Sequence, residues 1–219
     1  MKIQSQVEDA ELVERRRSEI IASATDLFGT RGYPETTIKD IAKRAGFSPG
    51  LVYSYVKGKD DVLFLVIEWV LTQYKERVPK AVEGVTDPLQ RLRLGFRAYC
   101  EVAAERPRAT LLAYRETKSL SERRRDLIKR MELDTSKVLT DSISDAIEMG
   151  WLRPTDPLLV THSLLLLAHG WALKSWHVKG LTTLSDYIDF VLDMVLAGLA
   201  TQTGRKRIVP LQRMPRRKS

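Results

Sequence analysis

The stretch that most constrains the fold of this chain is residues 36–61, TTIKDIAKRAGFSPGLVYSYVKGKDD. Thr37, with an acidic residue three positions later and apolar residues at helical spacing after it, predicts a capped helix. Gly46 stands where a left-handed residue would end that helix. Ser48, followed by a proline, supplies the N-cap of a second helix shortly afterwards. The pattern therefore predicts two short helices joined by a tight turn.

Two short helices joined by a glycine-containing turn make a helix-turn-helix, whose second helix enters the major groove of DNA. An ordinary helical hairpin in a protein core would explain the apolar positions of this stretch. It would not explain Tyr53 and Tyr55, which we expect to be exposed, or Lys59 after them. We therefore predict that the stretch reads double-stranded DNA.

The run TTIKDIAKRAGFSPGLVYSYVKGKDDVL resembles the N-terminal domain of the TetR family of bacterial transcriptional repressors, with the caps, the turn glycine, Tyr53, Tyr55 and Lys59 in the family's places. Val56 stands where the family usually has Phe, and Gly58 where a serine commonly caps the fourth helix. The resemblance implies a homodimer that binds an inverted-repeat operator and responds to a small-molecule effector.

The second helix of the pair, residues 48–54, contains no Arg, Lys, Asn or Gln, so it cannot make bidentate pairs with guanine or adenine. We expect Leu51 and the neighbouring backbone to contact thymine methyl groups, and Lys43 or Arg44 to reach outward. Phosphate contacts are expected from hydroxyl groups and Lys59. The predicted DNA-binding set is Thr36, Thr37, Lys43, Arg44, Ser48, Pro49, Gly50, Leu51, Tyr53, Tyr55 and Lys59.

Helical periodicity and cap signals continue along the chain, and no strand-period alternation bounded by hairpin turns appears. The predicted fold class is all-α, with about nine helices. One of them is expected to run from Leu158 to Val178, and the last is expected to end at about Thr203. We divide the chain into a three-helix helix-turn-helix DNA-binding domain at 11–58, a helical effector-binding and dimerisation domain at 59–203, and a basic, disordered tail at 204–219.

The net charge of +8 is concentrated in that tail, which holds seven Lys or Arg residues and no acidic residue. The rest of the chain is therefore nearly neutral. The tail is either a solvated charged end or an auxiliary, non-specific DNA contact. Arg15, Arg16 and Arg17 in the first predicted helix are either phosphate contacts or an ordinary surface cluster.

The segment 158–173, LLVTHSLLLLAHGWAL, is apolar nearly all the way round, and a helix of this kind needs neighbours on two sides. It is shorter than a membrane span and contains polar residues, so no membrane partner is expected. We predict that it packs on its own domain and on a second subunit, together with a stripe on the last helix formed by Tyr187, Ile188, Val191, Leu192, Val195 and Leu199.

No catalytic constellation appears: the chain has no phosphate-cradling glycine loop, no HExxH motif and no nucleophile elbow. Its one cysteine fits a reducing compartment, and the N-terminal residues do not form a signal peptide, so we expect a cytoplasmic protein. His162 and His169 lie seven residues apart on one helical face, close enough to share a pocket, but they lack a third ligand, so no metal site and no cofactor is expected. An unrecognised helical enzyme is the alternative hypothesis from a different functional class.

Polar residues in apolar C-terminal segments predict a small-molecule site, for which the candidates are Tyr114, Glu116, His162, His169 and Trp171. Lys118 and Trp176 are further candidates. The runs YRETKSL and GWALKSWHVKG resemble a TetR subgroup that controls fatty-acid and acyl-coenzyme A breakdown, which implies an acyl-CoA or another long amphipathic effector. Arg115 and Arg123–Arg125 would neutralise phosphates at the cavity mouth or form a solvated face. A helical interaction module without effector control is the alternative.

Overall fold

The computed structural model describes residue 3 and residues 5–208. This part of the chain is all-α, as predicted, and nine of its helices have seven residues or more. A short 3-10 helix, Thr117–Ser119, follows α6. The helices are α1 (Ala10–Thr30), α2 (Ile38–Ala45), α3 (Pro49–Tyr53), α4 (Lys59–Ala81), α5 (Pro88–Glu105), α6 (Pro107–Glu116), α7 (Glu122–Glu148), α8 (Pro157–Leu173), α9 (Ser175–Leu181), α10 (Leu184–Leu199) and α11 (Gln202–Arg205).

The cap residues read from the sequence set the helix ends of the helix-turn-helix. Thr37 accepts a hydrogen bond from the backbone N–H of Asp40, whose side chain accepts one from the Thr37 backbone in return. Gly46 ends α2 in the left-handed region at φ 73°. The Ser48 hydroxyl accepts from the Leu51 backbone N–H at 3.1 Å and begins α3. The capped pair of helices is therefore confirmed.

Two helices near the C-terminus end earlier than the sequence predicts. The predicted helix from Leu158 to about residue 178 breaks at Lys174, where the backbone leaves the helical region, and α9 follows. The last long helix ends at Leu199 because Ala200 is extended and forms an antiparallel bridge with Leu152. The backbone N–H of Arg153 also donates to the Leu199 carbonyl at 2.8 Å.

The first residues of the predicted disordered tail are ordered, which corrects that prediction for residues 204–208. The Thr201 hydroxyl caps α11 by accepting from the Gly204 backbone N–H at 3.0 Å, and it donates to the Gly150 carbonyl at 2.6 Å. The Arg207 guanidinium lies 4.1 Å from the centre of the Trp151 ring. Residues 209–219 lie outside the part that the structure describes, so disorder there stays a prediction.

The chain forms two compact units, with a division inside α4. The first unit contains the residues up to Thr72 together with Arg106–Met131, and the second contains Gln73–Glu105 and the residues from Glu132 onward. The first unit therefore extends past residue 58, where we drew the domain boundary, and includes α6. Its largest fully buried side chains include Ile20, Ile41, Leu63, Phe64, Ile67 and Ile128.

The second unit has its core between α5, α7, α8 and α10. Gly95 allows a close approach of α5 and α7, because a Cβ atom there would lie 2.9 Å from Leu139 Cδ2. The fully buried side chains of this unit include Tyr74, Leu92, Phe96, Leu139, Ile143 and Leu152. Burial of these apolar groups makes the main favourable contribution to the free energy of folding of the unit.

Candidate functional site

The exposed side of α2 and α3 carries most of the predicted DNA-binding residues. Tyr53 is 49% exposed, and Leu51 is half-buried beside it. The remaining exposed members of the set are Thr37, Lys43, Arg44, Ser48, Pro49 and Gly50. Because α3 presents a proline, a glycine and an apolar side chain, its surface can approach base edges closely and contact thymine methyl groups.

Thr36 and Tyr55 belong to the predicted set but are buried, so the expectation that Tyr55 is exposed is wrong. The Thr36 hydroxyl donates to the Gly32 carbonyl at 2.8 Å. Tyr55 is only 2% exposed. It lies two positions after Tyr53, and side chains two positions apart on a helical path point to opposite sides. Tyr53 is therefore the tyrosine available to DNA.

Lys59 holds the turn between α1 and α2. Its ammonium group donates to the carbonyl oxygens of Tyr33 and Pro34, each at 2.9 Å, and lies 4.5 Å from the centre of the Tyr33 ring. The Tyr33 hydroxyl donates to Asp60 at 2.8 Å, and burial followed by this hydrogen bond raises the pKa of Tyr33. Lys59 therefore has a structural role beside the predicted phosphate contact.

Of Lys43 and Arg44, one of which we expected to reach outward from α2, Arg44 takes a partner within its own chain. Its guanidinium pairs with Asp26 of α1 at 2.6 Å. Asp26 also pairs with Arg108 of α6, so one carboxylate joins three helices of the first unit. Lys43 is exposed on the same helix and remains the outward-reaching cation of the two.

The arginine triplet of α1 divides into different roles. Arg17 donates to the backbone carbonyls of Ile3 at 2.7 Å and Tyr55 at 3.0 Å, so it anchors the N-terminal segment and the end of the helix-turn-helix. Arg16 pairs with Glu19 at 2.9 Å. Arg15 is exposed, which leaves it as the member best placed for a phosphate contact.

The five predicted effector residues do not share one compact unit. Tyr114 and Glu116 lie in the first unit, and His162, His169 and Trp171 lie in the second. Tyr114 is exposed, and a Glu116 carboxylate oxygen accepts from the Ser119 hydroxyl at 2.8 Å. Trp171 is buried beside Tyr187, whereas Trp176 and Lys118 are exposed, which contradicts their predicted place in a core cavity.

The two histidines of α8 do not share a pocket, which corrects the sequence-based expectation. His162 is exposed and His169 is largely enclosed. The N-terminal half of α8 presents Leu158, Leu159 and other side chains to solvent, whereas its C-terminal half packs into the second unit. In the described part of the chain, no group of three side chains is arranged to hold a metal ion.

His169 lies against two tyrosines that the sequence did not single out as site residues. The rings of Tyr74 and Tyr99 stack with centres 4.1 Å apart, and the Tyr99 hydroxyl lies 3.4 Å from His169 Nε2. Burial lowers the pKa of His169 to about 4 and raises the pKa of Tyr99 and of nearby Glu132. The result is a cluster of neutral polar groups in an apolar core, which we call the tyrosine-histidine cluster: Tyr74, Tyr99 and His169.

The outer faces of α8 and α10 are apolar, but they differ from the predicted stripe. Ile188, Val191 and Leu192 are buried within their own chain. The exposed apolar side chains of these two helices are Leu158, Leu159, Leu166, Phe190 and Met194. We call this set the α8–α10 face. No helix among residues 3 and 5–208 has the length and apolar character that a membrane crossing requires.

Comparisons with known proteins agree with this description. A family model of bacterial regulatory proteins of the tetR family matches residues 20–66. A model of the tetracyclin repressor-like C-terminal domain matches residues 85–199, more than half of the chain. The HTH-type transcriptional regulator HbdR of Aromatoleum sp. (strain CIB) is 39% identical over 211 residues, covering 96% of this chain and 92% of HbdR.

Solved structures show the same fold. The ketosteroid transcriptional regulator KstR2 of Mycobacterium tuberculosis has a TM-score of 0.73 and 25% identity, covering 92% of this chain and 100% of KstR2. AibR in complex with isovaleryl coenzyme A and operator DNA has a TM-score of 0.73 and 23% identity, covering 82% of this chain and 97% of AibR. These relatives are transcriptional regulators, not enzymes. The chain belongs to the TetR family of helix-turn-helix transcriptional regulators.

Proposed function

We propose that this protein is a ligand-responsive repressor that binds an inverted-repeat operator as a homodimer and is released by an amphipathic small molecule. The observation that carries the proposal is the exposed surface of α2 and α3, where capped helices present Lys43, Pro49, Leu51 and Tyr53. DNA binding would place the protein in the bacterial cytoplasm. We assign DNA binding to 11–58 and effector binding and dimerisation to 59–203.

The α8–α10 face supports a homodimer. Exposed apolar patches larger than a few hundred Å² are rare on soluble monomers and commonly mark protein interfaces. Leu159 and Leu166 on α8, with Phe190 and Met194 on α10, would give two-helix faces that pair about a two-fold axis as a four-helix interface. The two helix-turn-helix domains of the dimer would then bind the two half-sites of the operator.

The tyrosine-histidine cluster supports an effector site in the second unit. Small-molecule sites are mainly apolar with a few polar groups, and Tyr99 and His169 supply such groups in the core of α5 and α8. AibR binds isovaleryl coenzyme A, and the chain shares its fold. We infer that the effector is an acyl-CoA or a comparable amphipathic molecule, which would connect this regulator to fatty-acid or related acyl metabolism.

Release of DNA requires that the effector bind one conformation of the protein better than another. A ligand with equal affinity for both conformations does not change the equilibrium between them. A typical coupling free energy is about 1–3 kcal/mol, or about 5- to 150-fold in affinity. Within the first unit, the Arg108–Asp26 pair joins α6 to α1, and the Arg124–Asp61 pair joins α7 to α4. Movement of these helices would therefore change the position of α1 and α4.

Calorimetry with a series of acyl-CoA chain lengths, with and without operator DNA, tests this function. We expect at least one chain length to bind, and operator DNA to weaken that binding by the same factor by which the effector weakens operator binding. Absence of binding at every chain length contradicts the acyl-CoA effector. Binding that leaves operator affinity unchanged contradicts effector control and favours an interaction module.

A further inference from the structure

A cleft in the first unit lies between the C-terminal end of α1 and one side of α6. Its volume is about 280 Å³, and it is lined by Arg31 and Tyr33 from the α1 side and by Arg108, Leu111, Arg115 and Glu116 from α6. Three guanidinium groups and one carboxylate give this lining a formal charge of +2. We propose that this cleft binds a phosphoryl group of a small phosphate ester or of free phosphate.

The guanidinium groups have unused donors. Arg31 pairs with Asp40 at 3.5 Å, and Arg108 pairs with Asp26. Within the described part of the chain, no carboxylate lies at ion-pair distance from Arg115. A guanidinium carries five N–H donors in a fork that matches phosphate oxygens, so a pair with one aspartate leaves donors for an anion.

The end of α1 is the main feature that opposes an anion here. Unsatisfied carbonyl groups at a helix C-terminus amount to about half a negative charge. With the ion-pair partners Asp40, Asp26 and Arg44 included, four guanidinium groups and three carboxylates give the cleft and its surroundings a formal charge of +1. This charge still exceeds the opposing charge of the helix end, and a phosphate monoester carries about −1.5 to −2 charges at neutral pH. The cleft and a phosphoryl group therefore have opposite charges.

The size and the remaining lining select a small ligand. Sites for drug-sized molecules have volumes of about 300–1,000 Å³, so 280 Å³ suits a phosphoryl group with a ring or short chain attached. Leu111 and the Tyr33 ring provide an apolar side for that organic part. Phe28 packs edge-on against Tyr33, with ring centres 5.2 Å apart, and holds it in place. This site does not depend on the proposed acyl-CoA effector.

The test is calorimetric titration of the full chain with inorganic phosphate, AMP, adenosine 3′,5′-bisphosphate and coenzyme A. Each compound is added up to about 10 mM, because this concentration nearly saturates a site with a Kd of about 1 mM. Arg115→Gln should weaken binding by about tenfold or more, because a hydrogen bond to a charged group is lost. The matched control is Arg130→Gln, an exposed arginine of the same unit that does not line the cleft. It should bind like the wild type.

A second variant changes no charge. Gly29→Ala would place a Cβ atom 3.0 Å from Arg108 Cδ and 3.3 Å from its Cβ, so Arg108 must shift by a few tenths of an ångström. Because Gly29 lines the cleft, the added methyl group also narrows it. The substitution favours the helix, so α1 should remain folded. We expect Gly29→Ala to bind phosphate compounds more weakly than the wild type, with an unchanged circular-dichroism spectrum.

The results separate the ligand sources and can overturn the site. Equal affinity for inorganic phosphate and AMP would show that the cleft recognises only the phosphoryl group. Tighter binding of AMP or coenzyme A would show that the organic part of the ligand also contacts the cleft. The proposal is wrong if none of the four compounds binds. It is also wrong if Arg115→Gln and Arg130→Gln weaken binding equally, because the attraction would then be general surface charge.

Discussion

The Lys59 ammonium group donates to the Tyr33 carbonyl at 2.9 Å and lies 4.5 Å from the centre of the Tyr33 ring. A lysine expected from the sequence to hold DNA phosphate thus also fixes the turn between α1 and α2. Its three donors allow both roles, because two of them are used by the carbonyls of Tyr33 and Pro34. The two roles predict different measurements.

Lys59→Ala should lower the free energy of unfolding by about 1–2 kcal/mol, since hydrogen bonds from a charged group are lost at a partly exposed site. If Lys59 also contacts phosphate, operator binding weakens equally for all sequences and the salt slope of log K falls by about one unit. Urea unfolding and operator titrations at several salt concentrations measure both. Lys80→Ala, an exposed lysine of α4, is the control. An unchanged salt slope of log K would show that Lys59 does not contact the DNA phosphates.

Tyr53→Phe should weaken operator binding by about 0.5–1.5 kcal/mol through the loss of one hydroxyl hydrogen bond. It should change stability by less than about 0.5 kcal/mol, because Tyr53 is exposed. Tyr55→Phe removes a hydroxyl from a buried ring and serves as the comparison. Gel-shift titration and thermal unfolding distinguish the variants. Equal loss of DNA affinity in both would contradict the assignment of Tyr53 as the DNA-facing tyrosine.

Phe190→Glu should give a folded monomer with much weaker operator binding. The side chain is 52% exposed in the protomer, so the carboxylate is solvated unless a second subunit covers it. Leu192→Glu should instead unfold the protomer, because Leu192 is 1% exposed and the charge would be buried without a partner. Sedimentation and circular dichroism separate these outcomes. A Phe190→Glu variant that remains dimeric places the interface elsewhere.

Lowering the pH from 7 to 5 should reduce stability through His169. Burial holds its pKa near 4 in the folded protein, whereas the unfolded chain has a pKa near 6.5. The unfolded state therefore binds more protons between these values, and this histidine alone costs about 2 kcal/mol over that pH range. Glu132 acts in the opposite direction, because burial raises the pKa of its carboxyl group.

His169→Gln isolates the histidine contribution, because the glutamate is unchanged in that variant. The difference in unfolding free energy between wild type and His169→Gln should shift by about 2 kcal/mol between pH 7 and pH 5. His162→Gln, at the exposed histidine of α8, is the matched control. Denaturant titrations at the two pH values measure the free energy of unfolding of each variant. A difference that does not change with pH would mean that His169 is hydrated in solution.

Gly204→Ala should destabilise the second unit by about 1–3 kcal/mol, the usual cost of overpacking. A Cβ atom there would lie 1.9 Å from the Trp151 carbonyl oxygen, so the backbone must move. Gly180→Ala, with no neighbouring atom within 4 Å, should be neutral or slightly stabilising in α9. Thermal unfolding compares the two. If Gly204→Ala unfolds like the wild type, the segment from Thr201 to Arg207 does not contribute to stability.

The sequence by itself determined the helix-turn-helix, the all-α class and most helix ends. These features depend on interactions between residues at most five positions apart, such as Thr37 with Asp40 and the left-handed Gly46. The family resemblance also rested on this local pattern. Where a helix end depended on distant residues, as at the bridge between Ala200 and Leu152, the prediction was wrong.

Only the tertiary structure decided which side chains are buried and which partners the charged groups take. Helical periodicity marks an apolar arc, but packing determined that Leu192 is buried while Phe190 faces solvent. The Asp26–Arg44 pair and the Tyr99–His169 contact join residues 18 and 70 positions apart, and no local pattern records such distances. A side chain's neighbours follow from how helices pack, and this packing is a property of the folded chain and not of any one segment.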